Sequence, residues 1–183
     1  MAAASTPQAV LDFWFTEIGP DGWYAVSDTL DAACRARFGP LLAAAAACEL
    51  HGWRTGAEGR LAEVIVLDQF SRNIHRGTPL AFAQDALALA LAQEAIAQGF
   101  DRDLPPHRRA FLYLPFMHSE SLAIHAMALQ LFAAPGLTEG LDFEIRHKAI
   151  LDRFGRYPHR NAILGRASTP AEIAFLAEPG SAF

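Results

Sequence analysis

The stretch Gly59-Arg-Leu-Ala-Glu-Val-Ile-Val-Leu-Asp-Gln-Phe-Ser-Arg-Asn73 decides the class of fold. Leu61, Val64 and Ile65, then Asp68 and Arg72, recur at spacings of three, four and seven, the stripe of one helix face and not the alternation of a strand. The stripe puts Asp68 on the face that packs against the rest of the protein. A carboxylate there needs a partner. Arg72, one turn on, supplies it by i,i+4 geometry, and Gln69 and Asn73 extend the polar strip.

Outward from this helix, Pro and Gly punctuation divides the chain into helical segments, with almost no β-branched run of alternating polarity. Ser5-Thr6-Pro7 opens a helix through Trp14, followed by a loop at Gly19-Pro20-Asp21-Gly22. Helices are expected over 28–38, stopped by Gly39-Pro40, and over 41–50, ended by His51-Gly52. The helix of the opening stretch runs near 57–71 with Thr55 as its cap. The next follows the Gly77-Thr78-Pro79 turn and runs to about Gln98, bounded by Gly99. Others are expected from Pro105-Pro106 to Leu114, over 121–134 with Ser119 as cap, and over 141–154. A long irregular loop then leads to a last helix opened by Thr169-Pro170. The expectation is an all-α chain, one domain over 1–183, with about nine helices in stacked antiparallel hairpins. The alanine run at 43–47 reads as a close helix-packing surface.

At 183 residues, with 52% hydrophobic and 19% charged residues, the chain can bury a sizeable core, which excludes disorder. Fifteen Lys and Arg against twenty Asp and Glu give a net charge of −5. The chain as a whole therefore lacks the electrostatic footprint of a nucleic-acid or anionic-membrane binder. Cys34 and Cys48 read as free buried thiols in a reducing compartment, and the cytoplasm is the expected location. The N-terminus shows no basic region ahead of an apolar core of the kind an export signal needs. The uncharged stretch 121–138 contains His125, Gln130 and Pro135-Gly136, too short and polar for a membrane span.

Several polar residues stand where chemistry could use them. His147 shares a stripe with Phe143, Ile150, Leu151 and Phe154 and should point inward, as a hydrogen-bonded core residue or as a general base. Glu144 makes E-x-x-H with it, but no second copy exists for a di-metal site. His118 and Glu120 flank a helix start, where Glu120 reads as a first-turn acid. With His147 they would make a two-His, one-carboxylate set whose spacing matches no metal motif. No metal and no cofactor are expected. The loop from Arg153 to Arg166 holds four arginines and no acid in an acidic chain. Arg156, Arg160 and Arg166 offer planar forks for carboxylate or phosphate, or alternatively partners for Asp68, Glu120 or Glu144. The loop is expected to fold back so that Arg156 or Arg160 reaches Asp68, Glu120 or a bound anion. Arg72-Asn73 and Arg160-Asn161 echo each other, as if two segments met at one site.

Together these segments resemble the bacterial domain-of-unknown-function 924 family. The resemblance rests on Val10-Leu-Asp-Phe-Trp-Phe15, Gly59-Arg-Leu-Ala62, Leu67-Asp-Gln-Phe-Ser-Arg-Asn73 with Arg76-Gly-Thr78, and Ala81-Phe82 with Asp85. It continues through Phe111-Leu-Tyr-Leu-Pro-Phe-Met-His-Ser-Glu120, His147 and the 153–166 loop, nearly the whole chain. The chain departs from the family at Ser71, usually Pro, and at His125, often Gln; Glu144 lies outside the pattern. The resemblance implies an all-α fold similar to tetratricopeptide-type superhelices, and no reaction.

The leading functional expectation is a polar pocket holding a small anionic molecule. His147 or His118 would be its general base or acid, oriented by Glu120 or Asp68. Arg72, Asn73, Arg76, Arg156, His159, Arg160, Asn161 and Arg166 would contact the ligand. Hydrolysis or lyase chemistry fits better than redox work, since no dinucleotide or phosphate-loop glycine pattern occurs. The alternative is a non-catalytic tetratricopeptide-like module that takes a peptide, its polar groups serving only to hold hairpins together. Full pairing of every arginine with an acid favours the second; a cleft with open guanidinium donors favours the first.

Overall fold

The computed structural model describes residues 6–181, and among them helices, turns and loops occur but no strand. Ser5 and the export-signal expectation for the first residues lie outside that range. Thr6 alone therefore represents the expected first cap, its Oγ1 accepting the Ala9 N–H at 3.2 Å. It opens α1 (Pro7–Asp12), which passes into a π turn (Phe13–Ile18). Gly19-Pro20 then begins α2 (Pro20–Trp23) where a loop was expected, and α3 spans Asp28–Ala46. Next come α4 (Ala57–Ile65), a π turn (Val66–Phe70) and α5 (Ser71–Ile74), joined into one continuous rod. A 3₁₀ turn (Pro79–Phe82) leads to α6 (Asp85–Ala97), followed by α7 (Pro106–Met117), α8 (Leu122–Phe132) and α9 (Thr138–Phe154). After the arginine-rich loop, α10 (Pro170–Leu176) ends the described chain with a Thr169/Glu172 capping box.

Several boundaries differ from expectation. The expected 41–50 helix ends at Ala46 as part of α3, and His51–Thr55 forms a 3₁₀ turn. Ser121, not Ser119, is the N-cap of α8; the Ser119 Oγ accepts the Ser121 N–H instead, because the chain turns once more before the helix starts. Gly39-Pro40 does not stop a helix, because α3 runs through it. Pro40 is exposed, so the carbonyl it deprives of a partner faces water, while buried Phe38, Leu41 and Leu42 hold both halves in line. Pro115 likewise lies inside α7, anchored by buried Phe111, Leu112, Phe116 and Met117. Thr55 is not the cap of α4; extended Gly56 takes that position.

The rod is the centre of the molecule. Leu61, Ala62, Val64, Ile65, Val66, Leu67 and Phe70 are all fully buried, and its segments contact α1, α3, α6 and α7. It is buried all round because it is surrounded, Glu63, Asp68 and Gln69 included, where the 3.6-residue stripe alone implies one buried face. Phe13, Trp14, Phe38, Phe70 and Phe111 make a chain of ring contacts against it, with centroids 4.7–5.8 Å apart. Helices α7, α8 and α9 pack successively as antiparallel hairpins. A smaller apolar cluster of Ile150, Leu151 and Tyr157, with Phe154 and Phe175, fastens the C-terminal loop and α10. Among the described residues one helical stretch, Pro79–Ala97, is long and apolar enough to cross a membrane by length and composition only. In this fold it buries Ala88, Ala92 and Ala95 and carries the ion-paired Asp85.

Candidate functional site

The site begins with the π turn in the rod. It places Asp68, only 1% exposed, against the C-terminal end of α7. A single widened turn of this kind offsets the side chains that follow it, a device common at functional positions. Asp68 Oδ1 receives the His118 ring at Nδ1 (2.7 Å) and Arg72 Nη1 (3.0 Å), and Oδ2 receives the Gln69 amide (2.5 Å). Burial opposes the charge on Asp68, but Arg72, His118 and Gln69 outweigh it and hold the carboxyl well below its ordinary range. Burial, reinforced by the Arg72 charge, pushes the His118 ring below its ordinary value against the pull of Asp68. His118 is therefore neutral near pH 7, its Nδ1–H donates to the carboxylate, and Nε2 carries the lone pair. Nε2 makes no hydrogen bond among the described residues.

Arg72 continues from Asp68 to Asp85, the first residue of α6, with bonds of 2.9 and 3.0 Å. Arg160 donates to Oδ2 of the same Asp85, the oxygen that also takes Arg72 Nη2, at 3.3 Å. Its guanidinium lies over both the Phe82 and Tyr157 rings, with Cζ 4.7 Å from each centroid. That one long bond is the only hydrogen bond its guanidinium makes among the described residues; its Nε is buried without a partner. Glu120 is gripped by Arg166 through two bonds of 2.6 and 2.9 Å and also accepts the Tyr157 N–H at 2.8 Å. These contacts outweigh burial and keep Glu120 ionised.

Between these groups lies a cleft of about 420 Å³. Its polar lining is Asp85, His118, Ser119, Glu120 and Arg160, and its apolar walls include Phe82, Ala83, Ala86, Leu89 and Leu164. The sequence expectations divide accordingly. Asp68, Arg72, His118, Glu120, Arg160 and Arg166 come together at or behind this cleft. Asn161 supports them, taking Arg166 Nε at 3.0 Å and donating to Ser168.

The others go elsewhere. Asn73 and Arg76 both bind Asp31 of α3, at 2.8 Å and at 2.5 and 2.9 Å, so the Arg-Asn echo unites the two arginines but not the two asparagines. Arg156 does not reach Asp68 or Glu120; it grips Glu172 of α10 at 2.6 and 2.8 Å. Nor does Arg160 reach them. Asp68 is already saturated by Arg72, His118 and Gln69, and Arg166 holds both oxygens of Glu120. The loop folds back, but through Arg160 on Asp85 and Arg166 on Glu120. His147 lies behind Tyr157, ring centroids 5.7 Å apart, with Nδ1 donating to the Phe143 carbonyl at 2.8 Å. Burial drives its pKa down to about 3. His159 also sits against Tyr157, lowered by burial to about 4. Among the described residues no group of three or more His, Cys, Asp or Glu is placed to hold a metal ion.

Sequence reasoning passed over four residues that build this region. Phe82, Asp85 and Tyr157 have no role of their own there, entering only through the family resemblance and the arginine loop. His125, fully buried, binds Glu144 at 2.6 Å and the Ser119 carbonyl at 2.8 Å, beneath the cleft floor. The signal available for this pair was the inward E-x-x-H register of Glu144 and His147.

The profile of the bacterial protein family of unknown function DUF924 matches residues 10–180. The solved structure of a protein of unknown function from Agrobacterium tumefaciens is similar, with 42% sequence identity and a TM-score of 0.89 over 93% of this chain and 96% of that one. No curated protein matches. An all-helical architecture and a family match spanning the central rod, the His118 segment and the arginine loop have one reading: the chain belongs to the DUF924 family.

Proposed function

We propose that the cleft binds a small anionic molecule and that His118 moves a proton on it, as a hydrolase or lyase requires. The observation that carries this is the Asp68–His118 pair. A fully buried carboxylate fixes the ring and its tautomer, and Nε2 is left unpaired at a cleft. Hydrolysis and elimination both start there, by proton removal from water or from carbon. Arg160 is placed to stabilise negative charge with donors that no protein acceptor uses. The free thiols Cys34, buried, and Cys48, exposed in the turn after α3 where burial was expected, suit a cytoplasmic protein acting as one domain, and the acidic net charge supports neither a nucleic-acid nor a membrane partner.

The test is turnover, followed by NMR, of a panel of small carboxylate esters, amides and hydroxy acids. Asp68→Asn and His118→Gln, each checked for fold by circular dichroism, are expected to lose turnover at least 100-fold. Full activity in both variants overturns the reading. One observation favours a second reading. Arg72, Arg76, Arg156, Arg160 and Arg166 all have carboxylate partners, as a non-catalytic tetratricopeptide-like module that takes a peptide would have them. Saturable peptide binding unaffected by His118→Gln would support it.

A further inference from the structure

We propose that the cleft selects a monocarboxylate with an apolar tail or ring, the carboxylate on Arg160 and the tail along α6. This deepens the reading of the cleft as a small-anion site with His118 beside it, and rests on that reading.

Charge sets the head group. Of the acids in the lining, Asp85 has its oxygens on Arg72 and Arg160, and Glu120 has both on Arg166. Arg160 is the lining cation, 7% exposed, and its Nε and Nη2 make no bond among the described residues. Those two atoms form one planar edge, the fork that a carboxylate meets with two parallel bonds. The Phe82 and Tyr157 rings fix the plane of that fork. At and behind the cleft Arg72, Arg160 and Arg166 face Asp68, Asp85 and Glu120, three charges against three, so the cluster is neutral before a ligand enters and a dianionic phosphate is disfavoured against a monoanion.

Shape sets the remainder. Ala83, Ala86 and Leu89 follow at intervals of three and present one uncharged face of α6 and its leading turn to the cleft, opposite Leu164. This face carries no hydrogen-bonding side chain. A volume of about 420 Å³ is at the small end for ligand sites, where about 300–1,000 Å³ is usual. A short acyl chain or one aromatic ring fills it. The head group then lies in the same polar cluster as His118, so the bond next to the carboxylate is the one His118 addresses.

Binding of acetate, butanoate, hexanoate, phenylacetate, sulfate and hexylamine to the intact protein, by calorimetry and by the His118 imidazole NMR signals, decides this. The expected result is a two- to fourfold gain in affinity per methylene from acetate to hexanoate, with hexanoate and phenylacetate above sulfate and hexylamine weakest. Arg160→Gln should lose at least tenfold for every carboxylate. Ala86→Trp, which fills the apolar wall and leaves the Arg160 side chain in place, should abolish the chain-length gain and keep acetate. If Arg160→Gln does not fold, the ligand series and Ala86→Trp carry the decision. A flat chain-length series, sulfate binding as tightly as hexanoate, or hexylamine binding best overturns the proposal. If acetate and sulfate still shift His118 in a flat series, the small-anion reading stands and only the tail assignment fails. No carboxylate binding at all overturns both.

Discussion

At the scale of single residues, two buried carboxylates do different work. Asp68 is shared by Arg72 and His118, so its removal strands a buried cation and frees a ring. Arg72 keeps Asp85, and so the loss is smaller than for a wholly orphaned charge. Asp68→Asn is expected to cost about 2–3 kcal/mol in urea unfolding and to show a second imidazole tautomer at His118 by NMR. Glu144 faces a proton-counting constraint. Tyr157 donates its hydroxyl to the Met117 carbonyl, so its lone pairs face His125, and the Ser119 carbonyl also accepts there. His125 Nε2 must therefore carry a proton, and the one remaining proton lies between Nδ1 and Glu144. Burial raises the pKa of Glu144 against the pull of His125, and its Oε2 has no partner. A neutral donor can replace it. Glu144→Gln is expected to stay within about 1 kcal/mol of the parent, whereas Glu144→Ala, which orphans the ring and leaves a void, should cost about 3 kcal/mol. Equal destabilisation by the two in urea titrations would show that the pair is ionic and needs the charge.

At the scale of elements, the rod shows what a sequence conveys and what it withholds. The positions of Leu61, Val64, Ile65, Asp68 and Arg72 were legible from periodicity, and Asp68 with Arg72 is an i,i+4 pair as that spacing requires. Periodicity could not show the π turn or the burial of the rod on every side, because those follow from what other elements lay against it. Pro40 and Pro115 misled for a similar reason. A local rule ends a helix at proline, and flanking buried side chains override it. At the site, His118 and Glu120 were legible from their place at a helix start. Asp85 was not, because its partners lie 13 and 75 residues away in sequence. Gly59 makes the element scale testable. A Cβ there would collide with the Trp53 carbonyl oxygen, an atom of backbone that cannot swing aside. Gly59→Ala, ordinarily a gain in helix propensity, should instead destabilise by about 3 kcal/mol and lower the melting temperature accordingly.

At the scale of the whole molecule, the arginine loop behaves as a clasp. Arg156 fastens it to α10, Arg160 to α6 and Arg166 to the start of α8, so a basic segment in an acidic chain is spent on joining elements. Beneath it, Tyr157 gathers His125, His147 and His159 around one ring. This arrangement sets how stability depends on pH. His147 and His159 titrate near 3 and 4 in the folded protein and near 6.5 in the unfolded chain. Between those limits the unfolded state binds protons that the folded state refuses. Stability is therefore fully present above about pH 6.5 and falls as pH drops, by up to about 1.4 kcal/mol per pH unit for each histidine. His118, shifted in the same direction, adds to the slope. Asp68, Glu120 and Glu172 have lowered folded pKa values, Glu172 to about 2. Their contribution is present above the ordinary carboxylate range and is lost at still lower pH. Glu144, raised, opposes them, since its contribution fades as pH rises. The expected profile is a level melting temperature between about pH 7 and 8 and a decline below about pH 6.5, before ordinary carboxylates titrate. A second decline follows above about pH 9, where Cys34, Tyr113 and Tyr157, raised by burial, ionise first in the unfolded chain. Replacing His159 with Asn should remove about one proton from the unfolding linkage between pH 6 and 4.5, measured as a shallower fall in urea-unfolding free energy. An unchanged slope in that variant would mean that His159 is already protonated in the folded clasp, and that the ring cluster does not set the acid limit of this fold.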